Sequence, residues 1–271
     1  MKRAISDQKQ RDPTGLESIA RMIDTPSLHM EWIEAPWDSV IFGFPVLQIT
    51  LMKIRGSQSA NDFEIFEKAR DQVGAGLVSC RIPHESLKES MLLEKSGFRF
   101  IEMVYKPEMD GLKSRSIYET PSLSVRMADE RDLSELKEIA GSAFFNDRYH
   151  IDPRVDSKLG DERFRRWVQS SLTHPRQRLY VLCDGECRIG FFVTELLDDG
   201  TCYWHLTAMA PAFQNKGYGR LSWLAMLNQA KGAGAERVHT CISARDHRTI
   251  NLYASLGFYF PPPLMTFHWV R

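Results

Sequence analysis

The sequence has no excess of either charge: 35 lysines and arginines meet 35 aspartates and glutamates in 271 residues. Nucleic acids and anionic membrane surfaces both attract a basic excess, so neither is expected as a partner. No apolar run approaches the roughly 20 residues that a membrane span needs. The opening Met1-Lys2-Arg3-Ala4-Ile5-Ser6-Asp7 is polar and no apolar core follows it, which excludes a secretory signal in this stretch. Cysteine is scarce and odd in number, at five. Cys183 and Cys187 flank an Asp184-Gly185 turn, but no second Cys or His pair stands at metal-site spacing. All five thiols are expected to be buried or half-buried in a reducing cytoplasm, with no metal.

Two common phosphate loops are also missing. The P-loop pattern G-x-x-x-x-G-K-[ST] is absent. Gly232-Ala233-Gly234-Ala235-Glu236-Arg237 lacks the last glycine of G-x-G-x-x-G and precedes a strand instead of following one, so it reads as a helix stop.

What is present is a chain in two related halves. The segment from Pro107 to Pro121 is irregular and reads as a linker. A shift of 160 positions lays Gly74-Ala75 on Gly234-Ala235, Val78 on Val238, Ile82 on Ile242, Leu92 on Leu252, Gly97-Phe98 on Gly257-Phe258 and Phe100 on Phe260. Each copy reads as helix end, strand, loop, helix and a Gly-Phe turn into a strand. The expected organisation is a polar tail over 1–28, a degenerate domain over 29–115 and a catalytic domain over 116–271. The copies differ where chemistry would sit. Leu93 stands at the position of Tyr253, and the first half has no counterpart of the Gln214–Gly219 loop.

The second half alternates strands and helices. Strands are expected at Leu123–Met127, Arg178–Cys183, Cys187–Leu197, Thr201–Met209, Arg237–Ser243 and a broken pair over Phe258–Val270. Helices are expected at Arg131–Ala143 behind an Asp129 cap, Glu162–Leu172, Gly217–Lys231 and Asp246–Leu256. This is an α+β fold with a mixed, mostly antiparallel twisted sheet.

Met209-Ala210-Pro211-Ala212-Phe213-Gln214-Asn215-Lys216-Gly217-Tyr218-Gly219-Arg220 ends a strand, turns and starts a helix. The first helical turn leaves N–H groups without partners, and the helix dipole favours an anion there. Gly217 and Gly219 let a bulky diphosphate approach the backbone, and Lys216 and Arg220 add positive charge. By itself the loop reads equally well as an anion site or as a glycine-rich cap without a ligand.

Met209-x-Pro211-x-x-Gln214-x-x-Gly217-x-Gly219 resembles the acetyl-CoA signature of the GNAT acetyltransferases. Asp246-x-x-Thr249-Ile250-x-Leu252-Tyr253-x-x-Leu256-Gly257-Phe258 resembles the motif that follows it in that family. The resemblance implies acetyl-CoA as co-substrate and a GNAT fold. Thr207, Ala208 and Met209 would bond the pantetheine arm like an added strand. Gln214 would belong to the coenzyme site, and the amides of Asn215, Lys216, Gly217, Tyr218, Gly219 and Arg220 would hold the pyrophosphate. Tyr253 would protonate the leaving thiolate, a role that suits a phenol. Asp246 stands where the family usually has an Asn that contacts CoA, and a carboxylate cannot donate as the amide does.

A looser resemblance reaches both halves. Trp37-Asp38-Ser39-x-x-Phe42-Gly43 is similar to the opening of the TDP-fucosamine acetyltransferase group, which carries a degenerate GNAT half ahead of the catalytic one. Asp147-Arg148-Tyr149-His150-x-Asp152-Pro153 resembles its acceptor-side loop, and His268-Trp269-Val270-Arg271 fits its ending. This implies a small-molecule acceptor, the amino group of a sugar nucleotide, bound by Arg148, Tyr149 and His150. Arg148 suits either an acceptor phosphate or a pairing with Asp147 or Asp152. A homodimer is compatible with the resemblance. The base stays open between His205, Glu195 and a water relay. The rival readings are another small amine or a protein N-terminus as acceptor, and an acyl-CoA-binding module without catalysis, which the retention of Tyr253 opposes.

Overall fold

The computed structural model describes residues 20–116, 118, 120 and 123–271. The chain forms two compact units: Met1–Phe100 with Met265–Arg271, and Ile101–Leu264. The first boundary lies before the 107–121 linker, and the segment after Leu264 is counted with the first unit. Sequence alone placed one boundary near 115.

Unit 1 runs β1 (Arg21–Asp24), β2 (Leu28–Glu34), α1 (Pro36–Phe42), β3 (Val46–Ile54), α2 (Ser59–Gln72), β4 (Leu77–Pro83) and α3 (Leu87–Lys95). β1 lies inside the stretch 1–28 that was expected to be tail; residues 1–19 of it fall outside the described residues. β5 (Arg99–Tyr105) carries the chain into unit 2.

Unit 2 continues with β6 (Glu108–Met109), β7 (Leu123–Met127), α4 (Leu133–Ala143), α5 (Arg148–Ile151), α6 (Ser157–Ser171), β8 (Gln177–Asp184), β9 (Cys187–Leu196), β10 (Thr201–Met209), α7 (Tyr218–Gly232), β11 (Arg237–Thr240), β12 (Ile242–Ser243) and α8 (His247–Ser255). The last strand, β13 (Leu264–Val270), lies next to β4. The expected strand pair over Phe258–Val270 is therefore one strand, preceded by a single bridge between Tyr259 and Glu108.

The unit 2 sheet is six-stranded, in the order β6-β11-β10-β9-β8-β7. Only β10 and β11 pair in parallel, because α7 forms the crossover between them. Two apolar clusters cover its faces. One joins Trp204, Trp223, Met226, Tyr253 and Phe258. The other joins Leu136, Ile139, Phe164, Val168, Leu206 and Ala208. α7 and α8 thus pack on one face, and α4 and α6 on the other.

Helix starts differ from expectation in two places. α4 begins behind Asp132, not Asp129. Asp132 is fully buried and accepts from Arg126 Nη1 and Nη2 at 2.7 Å each and from Arg188 Nε at 2.7 Å. Hydrogen bonds from Arg126 hold its carboxyl well below the usual carboxylate range, against the opposing effect of burial. α6 begins five residues earlier than expected, where the Asp156 side chain accepts from Lys158 N. The α6 cap is a local polar contact that apolar periodicity does not reveal, whereas the Asp132 side chain makes no cap bond to α4 and is held by the two arginines instead.

The two units repeat each other in backbone detail. β4 and α3 shifted by 160 positions fall on β11–β12 and α8. Val73 N, Gly74 N and Ala75 N bond Ala69 O, Asp71 O and Arg70 O, as Ala233 N, Gly234 N and Ala235 N bond Gln229 O, Lys231 O and Ala230 O. Gly97 and Gly257 close the second helix at φ 84° and 86°. The preceding strand aligns at a shift of 155 instead, since Val46 pairs with Leu77 as Thr201 pairs with Arg237. The five additional residues of unit 2 all fall between Met209 and Tyr218, on the candidate phosphate loop.

Candidate active site

β10 carries a bulge. Trp204 pairs with Thr194 and Leu206 with Val193, leaving His205 as the extra residue. On a regular strand Trp204, Leu206 and Ala208 would share one face. Here Trp204 packs with Tyr253, whereas Leu206 and Ala208 pack with α4 and α6. The bulge turns the strand over by one face and sends Thr207 toward α8.

β10 also loses a neighbour. Its parallel pairing with β11 stops at Trp204↔Thr240. Beyond that point β11 ends, and β12 pairs with β5 instead (Ile242↔Tyr105). From His205 to Met209, β10 presents an edge without a strand partner among the described residues. Such an edge can bond an extended amide chain.

Tyr253 sits at the apex of this fork. It is fully buried, and Thr207 from one strand, Thr240 from the other and Trp223 from α7 surround its hydroxyl. Burial pushes the phenol up to about 12, and those three neighbours only partly offset it. Neither Tyr253 Oη nor Trp223 Nε1 has a hydrogen-bond partner, though both are buried. Two unmet polar groups at one place are costly unless a ligand supplies the partner.

The loop from Met209 to α7 is exposed over Asn215, Lys216 and Gly217. Gln214 Nε2 donates to Met209 O at 3.0 Å and ties the loop to the end of β10. Asn215 has φ 59°, and its Oδ1 accepts from Arg248 at 2.8 Å. Gly217 caps α7 at φ 86°, with nothing within 4 Å of the place a Cβ would occupy. The first N–H groups of α7 have no partner within the helix, as at any helix start. Gly219 lies next to Leu252.

Three side chains around this loop are engaged within the protein. Arg220 Nη1 bonds Ser255 O at 3.3 Å and Oγ at 3.1 Å, so its guanidinium bridges α7 to α8; its backbone N–H remains in the first helical turn. Tyr218 Oη donates to Asp184 Oδ2 at 2.6 Å, which raises its pKa. Asp246 caps α8, its Oδ1 accepting from Thr249 N at 3.1 Å. That explains why Asp serves in place of Asn: both accept at an N-cap.

The polar side chains of the acceptor-side loop bond to one another and to their neighbours. Arg148 and Tyr149 are buried, and Arg148 Nη2 bonds Tyr149 Oη at 2.9 Å, not Asp147 or Asp152. His150 lies between Asp147 Oδ2 on Nδ1 and Asp161 Oδ1 on Nε2, the latter at 2.9 Å. Burial lowers its pKa, but the two carboxylates outweigh that and raise it. Asp152 pairs with Arg154 through two bonds of 2.9 and 2.8 Å. These polar ends are satisfied within the protein and give the loop its shape.

His205 and Glu195 were read as rival bases. They are partners: His205 Nε2 lies 3.1 Å from Glu195 Oε2. Arg176, which the sequence did not single out, holds the other oxygen at 2.8 Å. His205 rests against Trp167 of α6, ring centroids 5.9 Å apart. It therefore opens on the α4/α6 face, while Tyr253 lies on the α7/α8 face, with the fork between them.

Of the cysteines, Cys80, Cys183 and Cys202 are buried and Cys241 is half-buried, but Cys187 is exposed beside its turn; none is in a disulfide. Among the described residues no group of three or more His, Cys, Asp or Glu is placed to hold a metal ion. No helix among them is long and apolar enough to cross a membrane.

Residues 134–258 match the model of the Acetyltransferase (GNAT) family. Among curated proteins, no sequence matches the chain. Three solved structures share its fold over most of its length. A functionally unknown conserved protein from Staphylococcus epidermidis ATCC 12228 is 13% identical with a TM-score of 0.65, covering 92% of this chain and 93% of that one. A GCN5-related N-acetyltransferase from Sphaerobacter thermophilus is 13% identical with a TM-score of 0.61, covering 91% and 81%. A tandem GNAT protein from the clavulanic acid biosynthesis pathway is 10% identical with a TM-score of 0.57, covering 89% and 78%. The chain has the α+β GNAT fold, and the tandem neighbour fits its two-part arrangement. The matched residues 134–258 lie in the second unit, and members of the matched family use acetyl-CoA as co-substrate.

Proposed function

We propose that unit 2 binds acetyl-CoA in the β10–β11 fork and transfers the acetyl group to a primary amine by direct attack. The observation that carries this reading is the buried, unpartnered Tyr253 hydroxyl at the apex of that fork. The pyrophosphate lies against the backbone of Asn215–Arg220, and the pantetheine arm runs along Thr207–Met209. The amine nitrogen bonds the thioester carbon, the C–S bond breaks, and the sulfur takes the Tyr253 proton. The proton that the amine must shed goes to a base on the His205 side of the sheet. General acid and base steps of this kind are each worth about 10²- to 10⁴-fold in rate.

The narrower reading of the acceptor is a nucleotide-linked amino sugar. Support comes from the sequence resemblance in Trp37–Gly43 and Asp147–Pro153. The role left to Arg148, Tyr149 and His150 is to shape the acceptor wall, since their polar ends are already engaged. Free thiols in all five cysteines support a reducing, cytoplasmic setting.

The test is thiol release from acetyl-CoA across a panel of amines that includes TDP-linked 4-amino sugars, polyamines and peptide N-termini. Turnover of a sugar nucleotide alone supports the narrow reading; turnover of other amines only removes it. Absence of acetyl-CoA binding by calorimetry removes both.

A further inference from the structure

Trp223 lies on α7 and Tyr253 on α8, and both side chains are buried. Their rings meet edge to face, with centroids 6.1 Å apart and planes at 75°. Trp223 Nε1 and Tyr253 Oη are both shut off from solvent without a hydrogen-bond partner. Their neighbours do not supply one. Thr240 Oγ1 donates to Trp204 O at 2.9 Å. Trp204 also packs on Tyr253, centroids 6.4 Å apart, and its Nε1 is unpartnered too, but the group its indole acts on is the Cys202 thiol. Phe192 lies against both indoles, at 5.1 and 5.0 Å between centroids, and has no polar atom to offer. Of the groups that favour ionisation of the phenol, Trp223 is the strongest, ahead of Thr207 and Thr240; the Asp246 carboxylate opposes it.

We propose that Trp223 is a positioning residue for acetyl transfer, its indole N–H holding the Tyr253 oxygen while that group gives up its proton. The inference rests on the acetyl-transfer reading above. An indole nitrogen can donate a hydrogen bond and cannot accept one. Facing it, Tyr253 Oη accepts, and its own proton is turned toward another acceptor. In the fork that acceptor is the thioester sulfur.

The amine nitrogen bonds the thioester carbon, and the C–S bond breaks with its electron pair on sulfur. The sulfur takes the Tyr253 proton, and the O–H pair stays on oxygen. The phenolate so formed lies in an apolar cluster, where a charge without hydrogen bonds is costly. The Trp223 N–H supplies the bond that solvent cannot supply at that depth. Water returns a proton to the phenolate as the products leave, and the proton that the amine lost passes to solvent. Catalytic hydrogen bonds are often long or poorly aligned until the ligands are bound. Two unpartnered atoms on touching rings suit a contact that tightens in the reacting state.

The test is a double-mutant cycle on the full chain: wild type, Trp223→Phe, Tyr253→Phe and the double variant. Each is assayed by thiol release with the amine that the wild type turns over fastest, and acetyl-CoA affinity is followed by calorimetry. Trp223→Phe is expected to lower kcat by about 10- to 100-fold, with acetyl-CoA affinity and the KM for the amine little changed. In the Tyr253→Phe background the same substitution is expected to cost less than about twofold, since the oxygen it serves is gone. An equal loss in both backgrounds, or no loss in either, overturns the inference and leaves the acetyl-transfer reading intact. Where Trp223→Phe does not fold, the indole N–H resonances of wild type and Tyr253→Phe decide the point. Added CoA is expected to move one of them downfield in wild type and not in Tyr253→Phe; an equal response in both proteins overturns the inference. A wild type without turnover on any amine overturns the acetyl-transfer reading, and the inference falls with it.

Discussion

Thr50 and His205 occupy the same position in two related sheets. Each is the extra residue of a bulge on the strand that precedes the first crossover helix: Thr50 lies between Ile49↔Trp32 and Leu51↔Glu31, and His205 between Trp204↔Thr194 and Leu206↔Val193. In each unit the parallel pairing with the next strand runs through the same four positions and stops just before the bulge. Unit 1 therefore keeps the fork that in unit 2 holds the candidate site. What it lacks is the five-residue loop extension and the tyrosine. It also carries a plug: Glu89 Oε1 accepts from Ile54 N at 2.8 Å, at the position that matches Met209.

Acetyl-CoA is expected to bind with a stoichiometry of one per chain. Glu89→Ala leaves the Ile54 N–H without its partner and should cost about 1–3 kcal/mol in stability. It should not create a second site, because no loop is present to hold a pyrophosphate. Calorimetric titration together with urea denaturation checks both parts, and a stoichiometry of two would contradict the plug.

Tyr253→Phe removes only the hydroxyl. We expect kcat to fall by about 10²-fold or more, with acetyl-CoA affinity little changed. With its phenol pushed up to about 12, Tyr253 stays protonated well above the ordinary tyrosine range, so the wild-type rate should not decline on its account below pH 10. Thiol release by the variant at the wild-type rate would take Tyr253 out of the chemistry.

At Gly217, φ is 86° and the Cβ position is open. Gly217→Ala should therefore cost about 1 kcal/mol of backbone strain without any clash. The methyl group would stand where the diphosphate approaches, so acetyl-CoA affinity should fall further than stability alone accounts for. Gly74→Ala, at φ 68° in unit 1 with an equally open Cβ position, is the control. Equal effects of the two on acetyl-CoA affinity would argue against a phosphate site.

Asp246→Ala should lose about 1 kcal/mol, the ordinary worth of an N-cap, whereas Asp246→Asn should be nearly neutral. Thermal denaturation of the two variants separates a capping role from a coenzyme contact. If Asp246→Asn tightens acetyl-CoA binding, the amide makes the contact that the carboxylate cannot.

His150 makes stability depend on pH. Its folded pKa is raised, so its contribution is complete below the unfolded value of about 6.5 and is lost as pH rises through the folded value. The melting temperature of wild type should fall over that window relative to His150→Asn. Parallel pH curves for the two proteins would show that the Asp147 and Asp161 contacts carry no net charge effect.

The elements tied to short-range signals were legible in the sequence. The Asp184-Gly185 hairpin, the β10 strand, the loop into α7 and the α8 helix lie within a residue or two of where turn residues and apolar spacing put them. The repeat was legible because its glycines stand at fixed positions. Pairs brought together across strands were not. His205 and Glu195 stand ten residues apart on neighbouring strands, and nothing local marks Arg176 as their third member. The Asp147–Asp152 stretch is not decided by sequence, because the same charged residues that suit a ligand also suit a self-satisfied turn. Gly160 shows how tight that turn is: a Cβ there would lie 2.5 Å from His150 Cε1.

Because residues 265–271 belong to unit 1, a ribosome delivers all of unit 2 before it delivers the strand that lies next to β4. During synthesis unit 1 waits with that β4 edge bare, while unit 2 is already free to fold. Unit 1, the first half to be synthesised, is thus the last to receive its full set of strands. The half without the candidate site is the one exposed longest to mispairing and to chaperones.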